Sequence, residues 1–119
     1  MDIARSFSDF VPGQIVEFKY YWIWHQGILT EVNPTKGTIK VIHYGTKYLF
    51  DTRTIVEEEF DVDPRREDIY ISRVDPQYSY TREEVIINAR NRLGEQNWRS
   101  GNRSYDFCRQ CVFKERNVN

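Results

Sequence analysis

The 119-residue chain has the size of one ordinary domain and a formal net charge of −1. That length allows a hydrophobic core without metal or disulfide support and leaves little room for a second domain. Hydrophobic residues at 39% and aromatics at 15% exclude disorder for the chain as a whole, and the near-neutral balance gives no general electrostatic drive toward nucleic acid. No run approaches the roughly 20 apolar residues of a membrane span, and MDIARSFSDF lacks the basic start and apolar stretch of a secretory signal, so a cytoplasmic protein is expected. Cys108 and Cys111 are too close in sequence for a useful staple and are expected as free thiols or ligands.

The expected fold class is α+β: an antiparallel β-sheet meander packed with two C-terminal helices, as a single domain over residues 1–119. Residues 1–10 read as an irregular lead-in and 113–119 as a polar tail. After Pro12-Gly13, the run QIVEFKYYW places Val16, Phe18 and Tyr20 on one face and Glu17 and Lys19 on the other, the period of a strand. HQGILTEV continues the pattern with Ile28 and Val32 opposed to Leu29. NPTKG is a turn cluster, and TIKVIHYG then aligns Ile39, Val41 and His43 on one face. TKYLFDTRTIVEEEF mixes β-branched, aromatic and acidic residues, and DIYISRV reads as a further strand with Ile69 and Ile71 aligned. At Thr81 the spacing of Glu84 after the hydroxyl is that of a capping box, which predicts a helix burying Val85, Ile86, Ala89 and Leu93 and ending at Gly94. EQNWRSGNRS is a polar connector. From Tyr105 a short second helix is predicted, carrying Cys108, Cys111 and Val112, with Ser104 or Asp106 as its cap.

Both histidines fall on strands, and Cys108 falls near a helix start. A thiolate is the reactive form of cysteine, and a helix N-terminus or an adjacent imidazolium lowers the thiol pKa from about 8.5. Cys108, His25 and His43 therefore form a candidate nucleophile, base and orienting group. Each also has a plain packing explanation: Cys108 as a small buried hydrophobe, His43 as a hydrogen-bonded core residue, His25 as an interface aromatic. Cys108-x-x-Cys111 with the two histidines has zinc-ligand chemistry, but the histidine spacing does not match that of a zinc site. A thioredoxin-like reading lacks the strand that should precede the motif.

The order of these features resembles the lecithin:retinol acyltransferase-like family, which includes the HRAS-like suppressor phospholipid acyltransferases and has a circularly permuted, NlpC-type papain-like fold. The matching stretches are Pro12-Gly13-Gln14 with IVEF, His25-Gln26-Gly27-Ile28, VIHYG with His43, IYISRV, EEVIINARNRLG and YDFCRQCV, spanning Val11 to Val112. The resemblance implies Cys108 as nucleophile, His25 as general base and His43 as its orienting group. The implied reaction is acyl transfer or hydrolysis through a thioester, on lipid ester or amide substrates, with no metal or organic cofactor. Phe107 stands where the family has Asn, and Arg109-Gln110-Cys111 replaces Glu-His-Phe, which puts the acyl pocket in doubt. The polar ending KERNVN differs from the hydrophobic anchor of many members.

Tyr20, Tyr21, Trp22 and Trp24, immediately before His25, are candidate substrate or interface residues able to make transient contact with a membrane surface. The same opening is compatible with a Tudor or SH3-like binding module whose aromatic residues cage a methylated side chain. A further alternative is the acyltransferase-like fold without its activity, acting by partner binding.

Overall fold

The computed structural model describes residues 1–46, 53–73, 77–96 and 103–114. Six strands, β1 (Asp2–Ile3), β2 (Ile15–Tyr20), β3 (Ile23–Asn33), β4 (Thr38–Gly45), β5 (Thr54–Asp61) and β6 (Tyr70–Ile71), form one antiparallel sheet in the order β1-β6-β2-β3-β4-β5. Two helices, α1 (Arg82–Arg90) and α2 (Arg103–Val112), pack on one face of it. The α+β class and the β2–β3–β4–β5 meander agree with the sequence pattern.

Period-two alternation distributes the core between the two faces. On the helix side, Ile15, Ile28, Ile42, Tyr44 and Ile55 meet Val85, Ala89, Phe107, Cys108, Cys111 and Val112. On the opposite side, Val16, Phe18, Tyr20, Leu29, Ile39 and Val41 pack with Ile69 and Ile71 and are closed over by Ala4 and Phe10. Of the first ten residues, Ala4 and Phe10 are thus buried in this core. The segment pairs β1 with β6 and forms a 3-10 turn over Phe7–Asp9, which carries Phe10 inward.

Three further details depart from the sequence pattern. Val32 packs with Leu29 rather than opposite it, because the register shifts between Leu29 and Glu31. This bulge at Thr30 adds one residue to β3 and reverses the parity beyond it. Leu93 is exposed because α1 ends at Arg90 and Leu93 lies in the turn over 91–94 that follows it. α2 begins at Arg103, so Ser104 and Asp106 lie inside its first turn instead of capping it. The Thr81 capping box forms as expected: the Glu84 amide donates to Thr81 Oγ1 at 3.2 Å and the Thr81 amide to Glu84 Oε1 at 3.1 Å. Gly94 takes a left-handed φ of +91° and donates its amide to the Ile55 carbonyl at 2.8 Å. Of the polar connector, residues 97–102 lie outside the described residues, as do 47–52 of the fourth β run. Phe113, expected in the polar tail, makes a bridge to Ser79.

Gly27 sits where β3 and β4 approach closely. A Cβ there would overlap the Val41 side chain and stand 2.9 Å from the Ile42 carbonyl oxygen. Backbone cannot yield as a flexible side chain does, so Gly27→Ala is expected to lower the unfolding free energy by about 1–3 kcal/mol, read from the urea midpoint.

Candidate functional site

The two histidines meet, and the cysteine does not join them. His25 pairs across strands with Phe18, and His43 lies on the face of β4 shared with Ile39 and Val41. The His25 and His43 ring centroids are 5.1 Å apart in an edge-to-face contact. Cys108 packs against Ile28 and Ile42 on the other face. Ile28 is three residues from His25 on one regular stretch of strand, and Ile42 is adjacent to His43, so strand parity sends them to opposite sides. The sheet itself separates the thiol from both imidazoles, which corrects the expected Cys108–His25–His43 unit.

The surroundings of the thiol also oppose catalysis. Cys108 is fully buried, and desolvation, reinforced by Cys111 and opposed only by Arg92, pushes its pKa well above the ordinary thiol value. Burial likewise raises Cys111 to about 11. Neither is the low-pKa thiol that nucleophilic attack requires. Among the described residues, no three His, Cys, Asp or Glu side chains converge to hold a metal ion, and no helix is long and apolar enough to cross a membrane.

What surrounds the histidines is an aromatic and polar cluster. Tyr20 stacks on His25 with centroids 5.5 Å apart and meets His43 edge-on at 4.8 Å, while Phe18 and Phe60, in contact with each other, pack beside His43 at 5.7 and 5.4 Å. His43 Nε2 lies 3.0 Å from Glu58 Oε1, and the interaction holds the Glu58 carboxyl below its usual pKa. The Tyr20 hydroxyl proton is within reach of the Thr46 carbonyl at 2.9 Å and Glu58 Oε1 at 3.1 Å, and the hydroxyl oxygen accepts from the Thr46 amide at 3.0 Å. Burial, with Glu58 adding to it, raises the Tyr20 pKa to about 12. Glu58 is not among the residues singled out from the sequence, although the alternation of Val56, Glu58 and Phe60 in the fourth β run carries the signal.

His25 is held neutral. Burial first, then the neighbouring His43 and Arg53, lower its pKa to about 3. His25 Nε2 and His43 Nδ1 have no hydrogen-bond partner among the described residues. The cluster can hold and orient protons, with Glu58 partly open to solvent, and among the described residues it brings no thiol to the imidazoles.

The aromatic residues before His25 occupy a different environment. Tyr20 pairs with Ile23 and Lys19 with Trp24, leaving Tyr21-Trp22 as a two-residue hairpin loop. Tyr21 and Trp22 have φ of +48° and +66°. Such a loop favours Asn-Gly because both positions need φ above zero, and bulky side chains there are strained by roughly 1–3 kcal/mol each. Trp22 is 84% exposed and Trp24 45%, with Ile23 and Tyr21 also open to solvent. Of the four expected interface residues, Tyr21, Trp22 and Trp24 are therefore presented to solvent, and Tyr20 belongs to the core.

Beside this tip lies a cavity of about 310 Å³ between Phe18, Trp24 and Phe60, rimmed by Asp61, Glu67 and Asp68. It forms where β2 and the segment leading into β6 splay apart: β6 pairs with only Val16 and Glu17 of β2, so Phe18 and Lys19 are left facing the 67–69 segment. No part of the sequence pattern marks this acidic segment as belonging beside Trp24.

Two measurements follow. Replacing the loop by Tyr21→Asn with Trp22→Gly should raise the unfolding free energy by about 1–2 kcal/mol, since it relieves the backbone strain and removes exposed rings. For pH, His25 protonates near 6.5 when unfolded but only near 3 when folded. The unfolded state therefore binds the extra proton, and stability should fall by about 1.4 kcal/mol for each pH unit as pH drops from about 6 toward 4. Glu58 adds in the same direction below its ordinary carboxylate range. Urea midpoints of the wild type and His25→Phe, compared across that window, should diverge, with the variant less acid-sensitive. No family model matches the chain, and no curated protein or solved structure matches it.

Proposed function

We propose that this chain is a binding module, contacting a protein partner through the aromatic hairpin tip, and that it does not use Cys108 as a nucleophile. The observation carrying this reading is the tip itself. Tyr21 and Trp22 occupy the loop positions where their side chains are most costly to the fold, and they are solvent-exposed. Strain of this kind persists where a function requires it, and exposed Trp and Tyr are the side chains most enriched at binding hot spots. The order of the sequence motifs resembles that of the acyltransferase-like family, and on that resemblance we read the scaffold as its permuted papain-like fold adapted to partner binding.

Thiol-dependent acyl transfer needs a thiolate within hydrogen-bond reach of an imidazole. Here the thiol is buried on the helix side and both imidazoles are on the other. A lipid surface is the less fitting partner for the tip, because Asp61, Glu67 and Asp68 stand beside Trp24. Membrane-surface elements instead carry Lys and Arg facing anionic headgroups.

The test is the pH dependence of iodoacetamide alkylation at Cys108, followed by intact mass and peptide mapping in the wild type and His25→Ala. Slow modification with a pKa above the ordinary thiol value, the same in both proteins, is expected. A depressed pKa that rises when His25 is removed would overturn the reading in favour of the acyltransferase. In parallel, tryptophan emission should be unchanged on adding vesicles of phosphatidylcholine with phosphatidylserine, whereas a blue shift lost in Trp22→Ala would replace the protein partner by a bilayer.

A further inference from the structure

We infer that β5 is a docking edge, to which an extended segment of a partner protein with lysine or arginine at alternate positions adds as a further strand. This contact is separate from the hairpin tip and does not depend on it. β5 ends the sheet order on one side, and among the described residues β4 is its one strand neighbour. Strand parity tells which of its backbone groups stay open. The Ile55 amide donates to the Glu95 carbonyl at 3.0 Å, and the Ile55 carbonyl accepts from the Gly94 amide at 2.8 Å, so Ile55 turns its backbone away from β4. In an antiparallel ladder that orientation recurs at every second residue, and the pairing from Thr54–Gly45 to Asp61–Thr38 runs without a register shift. The N–H and C=O groups of Glu57, Glu59 and Asp61 therefore also point outward, and no described residue bonds to them.

An open edge is a template for another strand, and proteins blunt such edges with shortness, bulges, proline or charge. β5 has eight residues, no bulge and no proline, which leaves charge. Glu57, Glu58, Glu59 and Asp61 crowd carboxylates along it, and among the described residues they pair with Arg90, the His43 imidazole and Lys36, with Asp61 unpaired. That charge selects the occupant. Antiparallel pairing with a second copy centred on Glu59 would set Glu57 against Asp61 and Glu59 against itself, and centring on Glu58 would set Glu57 against Glu59. Like charges directly opposite are destabilising. A strand with cations at alternate positions meets the reverse condition. Ile55 packs on the helix side, so parity puts the Glu57 and Glu59 side chains on that face, where Glu57 reaches Arg90 of α1. Cations two residues apart on the incoming strand fall beside them. On the other face, half-buried Val56 and Phe60 offer apolar contact to the residues between. The Lys36–Glu59 and Arg90–Glu57 pairs are open to solvent and contribute little to stability, so an incoming cation shares or replaces them at small cost. Main-chain hydrogen bonds then supply affinity, and the alternate cations supply the choice of partner.

The experiment is amide exchange of the whole chain, followed by NMR, with and without a blocked peptide of alternating lysine and valine. A peptide of alternating glutamate and valine is the parallel arm. The Val56, Glu58 and Phe60 amides, turned toward β4, should be protected in both states. Glu57, Glu59 and Asp61 should slow by about tenfold or more only when the lysine peptide is bound. Glu59→Pro removes an outward N–H while sparing the β4 ladder, as proline does on an edge strand, and should weaken binding by about tenfold. Glu57→Gln with Glu59→Gln should weaken it several-fold at low salt, with the difference closing as salt approaches about 1 M. Continued protection of Val56, Glu58 and Phe60 verifies the fold of each variant. Shifts without the alternating protection, equal affinity for the glutamate peptide, or binding unchanged in Glu59→Pro would each overturn the assignment. So would protection of the same amides that rises with protein concentration alone, which would make a second copy the occupant. None of these outcomes depends on Cys108 or on the hairpin tip, so this inference and the proposed function fail separately.

Discussion

The parity of β3 governs nearly everything else in this molecule. Residues an odd number of positions apart along a regular strand face opposite sides, and here His25 and Ile28 are such a pair. Ile28 is claimed by the helices, so His25 must turn to the other face, where its neighbours on adjacent strands are Phe18 and His43. The consequence is two cores of different chemistry on either side of one sheet. Both sides hold aliphatic and aromatic residues, but the helix side holds the thiols and the other side the imidazoles. An acid–base unit spanning both would have to pass through the hydrogen-bonded backbone between them.

The segregation also explains the titration behaviour of each group. Cys108 and Cys111 are surrounded chiefly by apolar side chains with one guanidinium nearby, and desolvation dominates. On the far side, the carboxylate of Glu58, two residues along β5 from Val56, the register partner of His43, reaches the imidazole diagonally, lowers the cost of burying it, and accepts from the Tyr20 hydroxyl. His25 has no carboxylate partner among the described residues and remains neutral. Two histidines in contact thus have different electrostatic surroundings, because among the described residues only His43 has a carboxylate within hydrogen-bond reach.

Much of the fold is legible from spacing. Alternation in QIVEFKY and TIKVIHYG specifies both the strands and their inward faces, and Thr81 with Glu84 specifies where α1 begins. The parity of His25 against Ile28 is also written in the sequence, and the family resemblance, which aligns motifs without regard to which face a residue takes, points the other way. The bulge at Thr30 has no local signature, since an extra residue in a strand looks like any other residue until the partner strand is in place. The cavity is less legible still. Its walls come from β2, β3 and β5, and its rim from the segment before β6, positions brought together only by the sheet order.

The Thr30 bulge, finally, bears on how such a protein changes over time. A strand that tolerates one extra residue after Leu29 shows that the β3–β4 ladder can absorb a change of length. Were that extra residue to lie between His25 and Ile28 while Ile28 kept its place, the imidazole would turn through the sheet toward the helices, with every codon for a core residue retained. Gain or loss of a thiol–imidazole pairing on this scaffold is then a question of where a single insertion lies, and comparisons that score only residue identity would not register the difference.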